Sequence, residues 1–136
     1  MKTIIILISC LVMSCSYATT NKSPEGEVYT ARITYYSTDR KWGNKVACQN
    51  SKYAKEGVTV AAHPKFKFGT KIYIPALKGK LGNGHFVIQD RGSAVTSKKA
   101  SRGKAYVFDV YVTSHSKIRK FAHSNPEYMR VYVVKP

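Results

Sequence analysis

The sequence predicts a mainly β domain, a barrel or sandwich of six short strands with one helix towards the C-terminus. Three observations predict it. Alternation of period two sets in at Val28, placing Tyr29, Ala31, Ile33 and Tyr35 on one face and Thr30, Arg32 and Thr34 on the other. Further short apolar runs follow, each cut off by glycine or proline (Gly57, Pro64, Gly69, Pro75, Gly79, Gly82, Gly84, Gly92, Gly103), as a barrel or sandwich requires. Only one stretch of the chain carries convincing helical spacing.

The first strand is expected from Val28 through Tyr35. Five more are expected over Val58 to Ala62, Thr70 to Pro75, His85 to Gln89, Ala105 to Val112 and Arg130 to Val134. The helix is expected over Ser114 to His123, where Ile118, Phe121 and Ala122 share a face, Ser114 or Ser116 can cap the start, and Asn125-Pro126 ends it. Residues 19–27 are polar, contain Pro24 and Gly26, and read as a flexible leader into a single domain over 28–136. No internal repeat, heptad or low-complexity tract is visible.

Lys2 followed by an apolar run from Ile4 to Met13 has the form of a secretory signal, a positive leader on a hydrophobic core too short to span a bilayer. Ser16-Tyr17-Ala18 supplies small residues where a signal peptidase reads, so residues 1–18 are expected to be removed and the protein exported to the periplasm or cell envelope. Val12-Met13-Ser14-Cys15 approximates a lipid-attachment pattern, which leaves a lipoprotein anchored through Cys15 as the alternative. After cleavage Cys48 would be the sole thiol, so no internal disulfide is expected and the fold must rest on its core. About 118 remaining residues are enough for one such core. Cys48 itself reads as a half-buried small apolar side chain.

Charge is the second strong compositional fact, with 23 Lys and Arg against 7 Asp and Glu and a net charge of +16. Such a surface seeks polyanions. The lysines (Lys41, Lys45, Lys52, Lys55, Lys65, Lys67, Lys78, Lys80, Lys98, Lys99, Lys117, Lys120) are dispersed along the chain and do not gather on one recognition helix. Nucleic acid is therefore not the expected partner. For an exported monomer, anionic cell-envelope polymers are.

Three polar residues intrude where apolar strands end: His63 in Val60-Ala61-Ala62-His63-Pro64, Asp90 in Gln89-Asp90-Arg91-Gly92, and Asp109 in Val107-Phe108-Asp109-Val110-Tyr111. A lone aspartate beside a strand is ordinarily a turn residue. Two of them with a histidine mark a candidate site, to which Glu56 adds a more remote acid. Gly92 is expected to supply a positive φ. His85, His115 and His123 lack metal-ligand spacing and no Cys or carboxylate clusters with them, so neither a metal nor a cofactor is expected.

Taken in order, Ala61-Ala62-His63, Phe68-Gly69-Thr70-Lys71-Ile72, Gln89-Asp90-Arg91-Gly92 and Phe108-Asp109-Val110 resemble the double-psi β-barrel family of rare lipoprotein A. That family shows Ala-Ala-His, Pro-x-Gly-Thr, Asn-Asp-Arg-Gly and Ile-Asp-Leu. Asp90 to Val95 leading to Asp109-Val110-Tyr111 is also similar to the three-aspartate (3D) domain found in membrane-bound lytic transglycosylase A. The likeness runs from about Tyr29 to Val112. This chain departs from it where His63 replaces the first of the three aspartates, where Lys67 and Ser93 stand in place of prolines, and where Thr96 to Arg102 adds a lysine-rich piece.

The resemblance implies a six-stranded double-psi β-barrel with one short C-terminal helix, and cleavage of the glycan strand of peptidoglycan. A carboxylic acid must protonate the departing oxygen while oxocarbenium character develops on the sugar. One acid suffices for a lytic transglycosylase, because the 6-hydroxyl of muramic acid attacks its own anomeric carbon to give a 1,6-anhydro product. Asp109 matches the acid of that pattern, Asp90 would orient the sugar or stabilise positive charge, and His63 would hydrogen-bond either carboxylate. Tyr35, Tyr36, Arg91 and Gly92 are the implied substrate-binding residues, with ordinary barrel packing as the other use for the tyrosines. The acid requires a dry setting. A cation about 10 Å away at effective dielectric ~20 is worth roughly 1–2 kcal/mol, whereas full burial moves a carboxyl by about 3–5 pKa units. Two other classes remain open, a non-catalytic wall-binding module of the expansin sort and a plain basic polyanion binder.

Overall fold

The computed structural model describes residues 25–37 and 53–134. The expected signal peptide (1–18), Cys15, the leader up to Pro24, the lysines at 41, 45 and 52, and Cys48 lie outside the described residues. Six strands form: β1 (Gly26–Tyr36), β2 (Thr59–Ala62), β3 (Lys71–Tyr73), β4 (His85–Asp90), β5 (Val107–Tyr111) and β6 (Tyr128–Val134). They close into a barrel in the order β1-β5-β2-β4-β3-β6. Closure pairs every strand on both sides, so none is left with a bare row of backbone donors and acceptors.

The long alternation from Val28 is what allows closure. The first part of β1 runs antiparallel to β6, from Gly26↔Val134 to Arg32↔Tyr128. Its second part runs parallel to β5, from Arg32↔Val107 to Tyr36↔Tyr111. β2 likewise serves two neighbours, β4 in parallel and β5 in antiparallel. Ala31, Ile33, Val60, Ala62, Ile72, Phe86, Ile88, Phe108, Val110 and Val131 fill the interior, and Tyr29 and Tyr35 pack against them. The expected inner face of β1 is thus the inner face. The chain also reaches the barrel earlier than expected, since Gly26 and Glu27 already belong to β1. β3 and β5 are shorter than expected, although the Ile74 amide donating to the Gly84 carbonyl and the Arg32 amide donating to the Tyr106 carbonyl carry the pairing one residue past their ends.

Among the described residues two α-helices join the strands, α1 (Ser93–Thr96) and α2 (His115–Ser124). Only the second was legible in the sequence. Ser114 caps α2 by accepting from the Lys117 amide, and Phe121 is buried beneath it. Ala122, expected on the buried face, is exposed. Asn125 closes the far end by donating to the Phe121 carbonyl at 2.9 Å. α1 leads into the lysine-rich addition, and its Val95 packs on Ala61 and Val107 with Tyr36 at the margin, a small apolar layer separate from the main core. A 3-10 turn over Lys99–Ser101 follows, flanked by Lys98 (φ 54) and Arg102 (φ 52) in the left-handed region. Ser101 anchors it, its buried hydroxyl donating to the carbonyl of Lys98 at 3.0 Å and accepting from the Ala105 amide at 3.2 Å.

Candidate functional site

Phe108 and Val110 point into the core, so strand alternation turns Asp109 to the other face of β5, where Val107 meets α1. The registers then gather the site. Asp109 lies opposite Thr34 of β1 on one side and Ala61 of β2 on the other. Ala61 in turn lies opposite Asp90, at a point where a bulge between Val60 and Ala61 shifts the β2·β4 ladder. The two aspartates therefore flank one small residue, and alanine there leaves the space between them free of a bulky side chain.

Asp109 is partly accessible and accepts a 2.8 Å hydrogen bond from the Thr34 hydroxyl. Burial pushes its carboxyl up from 3.8 to about 6, the Thr34 hydrogen bond pulls the other way, and the Asp90 charge adds to the rise. Among the described residues no cation is one of the groups that shift it. Asp90 is only 3% exposed. Its Oδ2 accepts from the Tyr36 hydroxyl at 2.7 Å and its Oδ1 from the Arg91 amide at 2.8 Å, so this carboxyl is held at both oxygens.

Arg91 is spent on backbone. Its guanidinium donates to the carbonyls of Ala62 (3.1 Å), Asp90 (3.1 Å) and Phe66, and lies 4.1 Å from the Phe68 ring centroid. It ties the end of β4 to the segment leaving β2. His63 stands one residue beyond β2; its Nδ1 accepts from the Lys65 amide at 3.1 Å, and its ring meets Tyr106 edge-on at 5.3 Å. It hydrogen-bonds neither Asp90 nor Asp109. Tyr36 belongs to the site, with its ring 5.5 Å from Tyr111. Tyr35 does not, since it faces the core, stacks on Phe121 at 5.6 Å, and has its phenol pushed up to about 12 by burial.

Gly92 corrects an expectation. Its φ of −161° is extended backbone open to any residue, and a Cβ there would meet nothing within 4 Å. Glu56 is also elsewhere, accepting from the Thr113 amide (2.7 Å), the Thr113 hydroxyl (2.8 Å) and Lys117 Nζ (2.6 Å), and so bracing the cap of α2. Among the described residues no three His, Cys, Asp or Glu side chains gather as a metal would require.

Two features escaped the sequence reading. Thr34 is an ordinary strand threonine until the parallel β1·β5 register sets it beside Asp109. The second is a cavity of about 660 Å³ beside the β2–β3 loop, walled by Tyr29 and Phe66 and rimmed by Lys65, Lys67, Lys71 and Glu27. Asp90 and Asp109 do not line it. Its only foreshadowing was the lysine density between Lys65 and Lys71.

Compared with models of known protein families and with curated proteins, the chain matches none.

Proposed function

We propose that this barrel is of the double-psi kind, similar to rare lipoprotein A and the 3D domain, and that it is exported to cleave glycosidic bonds in the glycan strands of peptidoglycan. The two parallel strand pairs, β1·β5 and β2·β4, joined through antiparallel β2·β5, support the topology. One observation carries the chemistry: Asp109, partly accessible, has its carboxyl raised to about 6 beside a second carboxyl. A group so poised keeps its proton up to a pH of about 6 and gives it up at little cost.

Asp109 protonates the glycosidic oxygen as the bond from the muramic anomeric carbon breaks. Its carboxylate then takes the proton of the 6-hydroxyl as that oxygen attacks the same carbon, closing the 1,6-anhydro ring and restoring the acid. Asp90, fixed by Tyr36 and Arg91, supplies a preoriented negative group towards the developing oxocarbenium charge. Digestion of purified sacculi by the wild type and by Asp109→Asn, read by mass spectrometry, tests this. Anhydro-muropeptides from the wild type alone are the expected result, and equal release by both proteins removes Asp109 from the reaction.

A second reading is a non-catalytic wall-binding module, and the separation of the 660 Å³ cavity from the carboxylates favours it. In that case both proteins bind sacculi and neither releases product.

A further inference from the structure

The cavity beside the β2–β3 loop combines two features that a neutral sugar does not answer. Its walls are apolar, with Tyr29 and Phe66 in edge-to-face contact at 5.2 Å. Its rim carries three ammonium groups, Lys65, Lys67 and Lys71, against the single carboxylate of Glu27. Lys65 lies 4.9 Å from the Tyr29 ring centroid, so one cation is already drawn over the wall. At about 660 Å³ the space falls within the roughly 300–1,000 Å³ usual for small-ligand sites.

The cavity is joined to the carboxylate site through backbone. Phe66 lines the cavity with its side chain, and its carbonyl accepts from the guanidinium of Arg91, the residue after Asp90. Whatever seats against Phe66 therefore seats on the segment that Arg91 fastens beside the aspartates.

On the reading that the substrate is peptidoglycan, we infer that this cavity holds the stem peptide of muramic acid, and that the preferred substrate is glycan still carrying its peptides. Naked muramic acid offers one carboxylate on its lactyl group. A stem peptide offers several carboxylates, alanyl methyl groups for the apolar wall and, where it contains a diamino acid, an ammonium for Glu27. That set matches the rim and the wall together, and the single lactyl carboxylate does not.

Titration calorimetry with the full chain distinguishes the two anions. The probes are N-acetylglucosaminyl-N-acetylmuramyl tetrapeptide and the same disaccharide with a free lactyl group. The wild type is expected to bind the peptide-bearing probe about tenfold more tightly, three partly screened ion pairs being enough for that ratio. Replacing Lys65, Lys67 and Lys71 together by Gln should abolish the preference. Replacing the exposed Lys99, Lys104 and Lys120 by Gln, an equal loss of charge elsewhere, should preserve it. Circular dichroism confirms the fold of both triple variants. Equal affinity for the two probes, or equal loss in the two triple variants, overturns the inference, the latter by showing only general attraction to a chain of charge +16.

Binding and cleavage separate the inference from the reading beneath it. Asp109→Asn should retain the peptide preference while releasing no product. Equal anhydro product from intact sacculi and from glycan stripped by an amidase overturns the inference and leaves the enzymatic reading standing. Peptide preference with no product from either substrate sustains the cavity assignment and moves the protein to the wall-binding class.

Discussion

Asp109 and Asp90 lie on strands that do not pair with each other, yet both stand in register with Ala61 of β2, one from each side. Burial holds the Asp109 carboxyl up at about 6, and the Asp90 charge adds to the rise. Because this folded value exceeds the ordinary 3.8, protonated Asp109 favours the fold. Its stabilising share is complete below the ordinary value and lost as pH rises through about 6. The loss amounts to at most about 3 kcal/mol. Urea unfolding of the wild type should weaken across that interval relative to Asp109→Asn, in which the group no longer titrates, and a flat difference would show an unshifted carboxyl. If Asp109 is the glycosidic acid, cleavage should decline above pH of about 6 for the same reason.

Thr34 and Asp90 push the Asp109 carboxyl in opposite directions, so removing each should move it oppositely. The Thr34 hydroxyl donates to Oδ1 and favours the ionised form. Thr34→Val, which keeps the shape and deletes the donor, should raise the Asp109 value above about 6. Asp90→Asn should lower it by removing the like charge, and should cost about 1–3 kcal/mol of stability by disturbing a buried acceptor of Tyr36 and the Arg91 amide. Carbon-13 carboxyl titration of the three proteins reads the shifts, and urea unfolding reads the stability loss. Shifts of the same sign in both variants would contradict the arrangement.

The candidate site was legible in the sequence only as far as local pattern reaches. Asp90 and Asp109 stood out because each interrupts an apolar run, but Tyr35 and Tyr36 were grouped as substrate-binding residues, although alternation puts Tyr35 on the core face. Thr34 gave no such signal. Its role depends on a parallel pairing with Asp109 across 75 residues, and nothing in the spacing of either strand specifies that register. α1 is a single turn too short for helical periodicity to show, and it exists because Val95 finds Ala61 and Val107 to pack against. Gly92 misled because glycine after an arginine in a strand-to-helix turn invites a left-handed backbone, whereas the chain enters α1 from an extended one.

Glu56 braces the segment before β2 against α2, and its ionisation should support the fold. Burial raises its carboxyl, but the Lys117 hydrogen bond, the two from Thr113 and the Lys117 charge together outweigh that and leave it below the ordinary 4.5. The sign is thus opposite to Asp109. The contribution is present above the ordinary value and lost as pH falls through the depressed one. Glu56→Gln should cost about 1–2 kcal/mol at pH 7 and much less under acid conditions where the wild-type carboxyl is protonated. Thermal unfolding at the two pH values checks it, and an equal deficit at both would mean that packing, not charge, is lost.

Two glycines should respond in opposite ways to the same substitution. Gly92→Ala places a methyl group in open space on extended backbone, and its effect should stay within about 0.5 kcal/mol. Gly84 sits at φ +81°, and a Cβ there would lie 3.0 Å from the Ile74 carbonyl oxygen and 3.1 Å from the Tyr73 ring. That carbonyl cannot retreat easily, because the turn is pinned by the Ile74 amide donating to the Gly84 carbonyl at 2.8 Å. Gly84→Ala should therefore destabilise by about 1–3 kcal/mol through backbone strain and crowding combined. Chemical denaturation of the two variants side by side measures the contrast. Equal losses would mean that the strand-to-helix entry at Gly92 demands glycine after all, and would reopen its assignment as part of the carboxylate site.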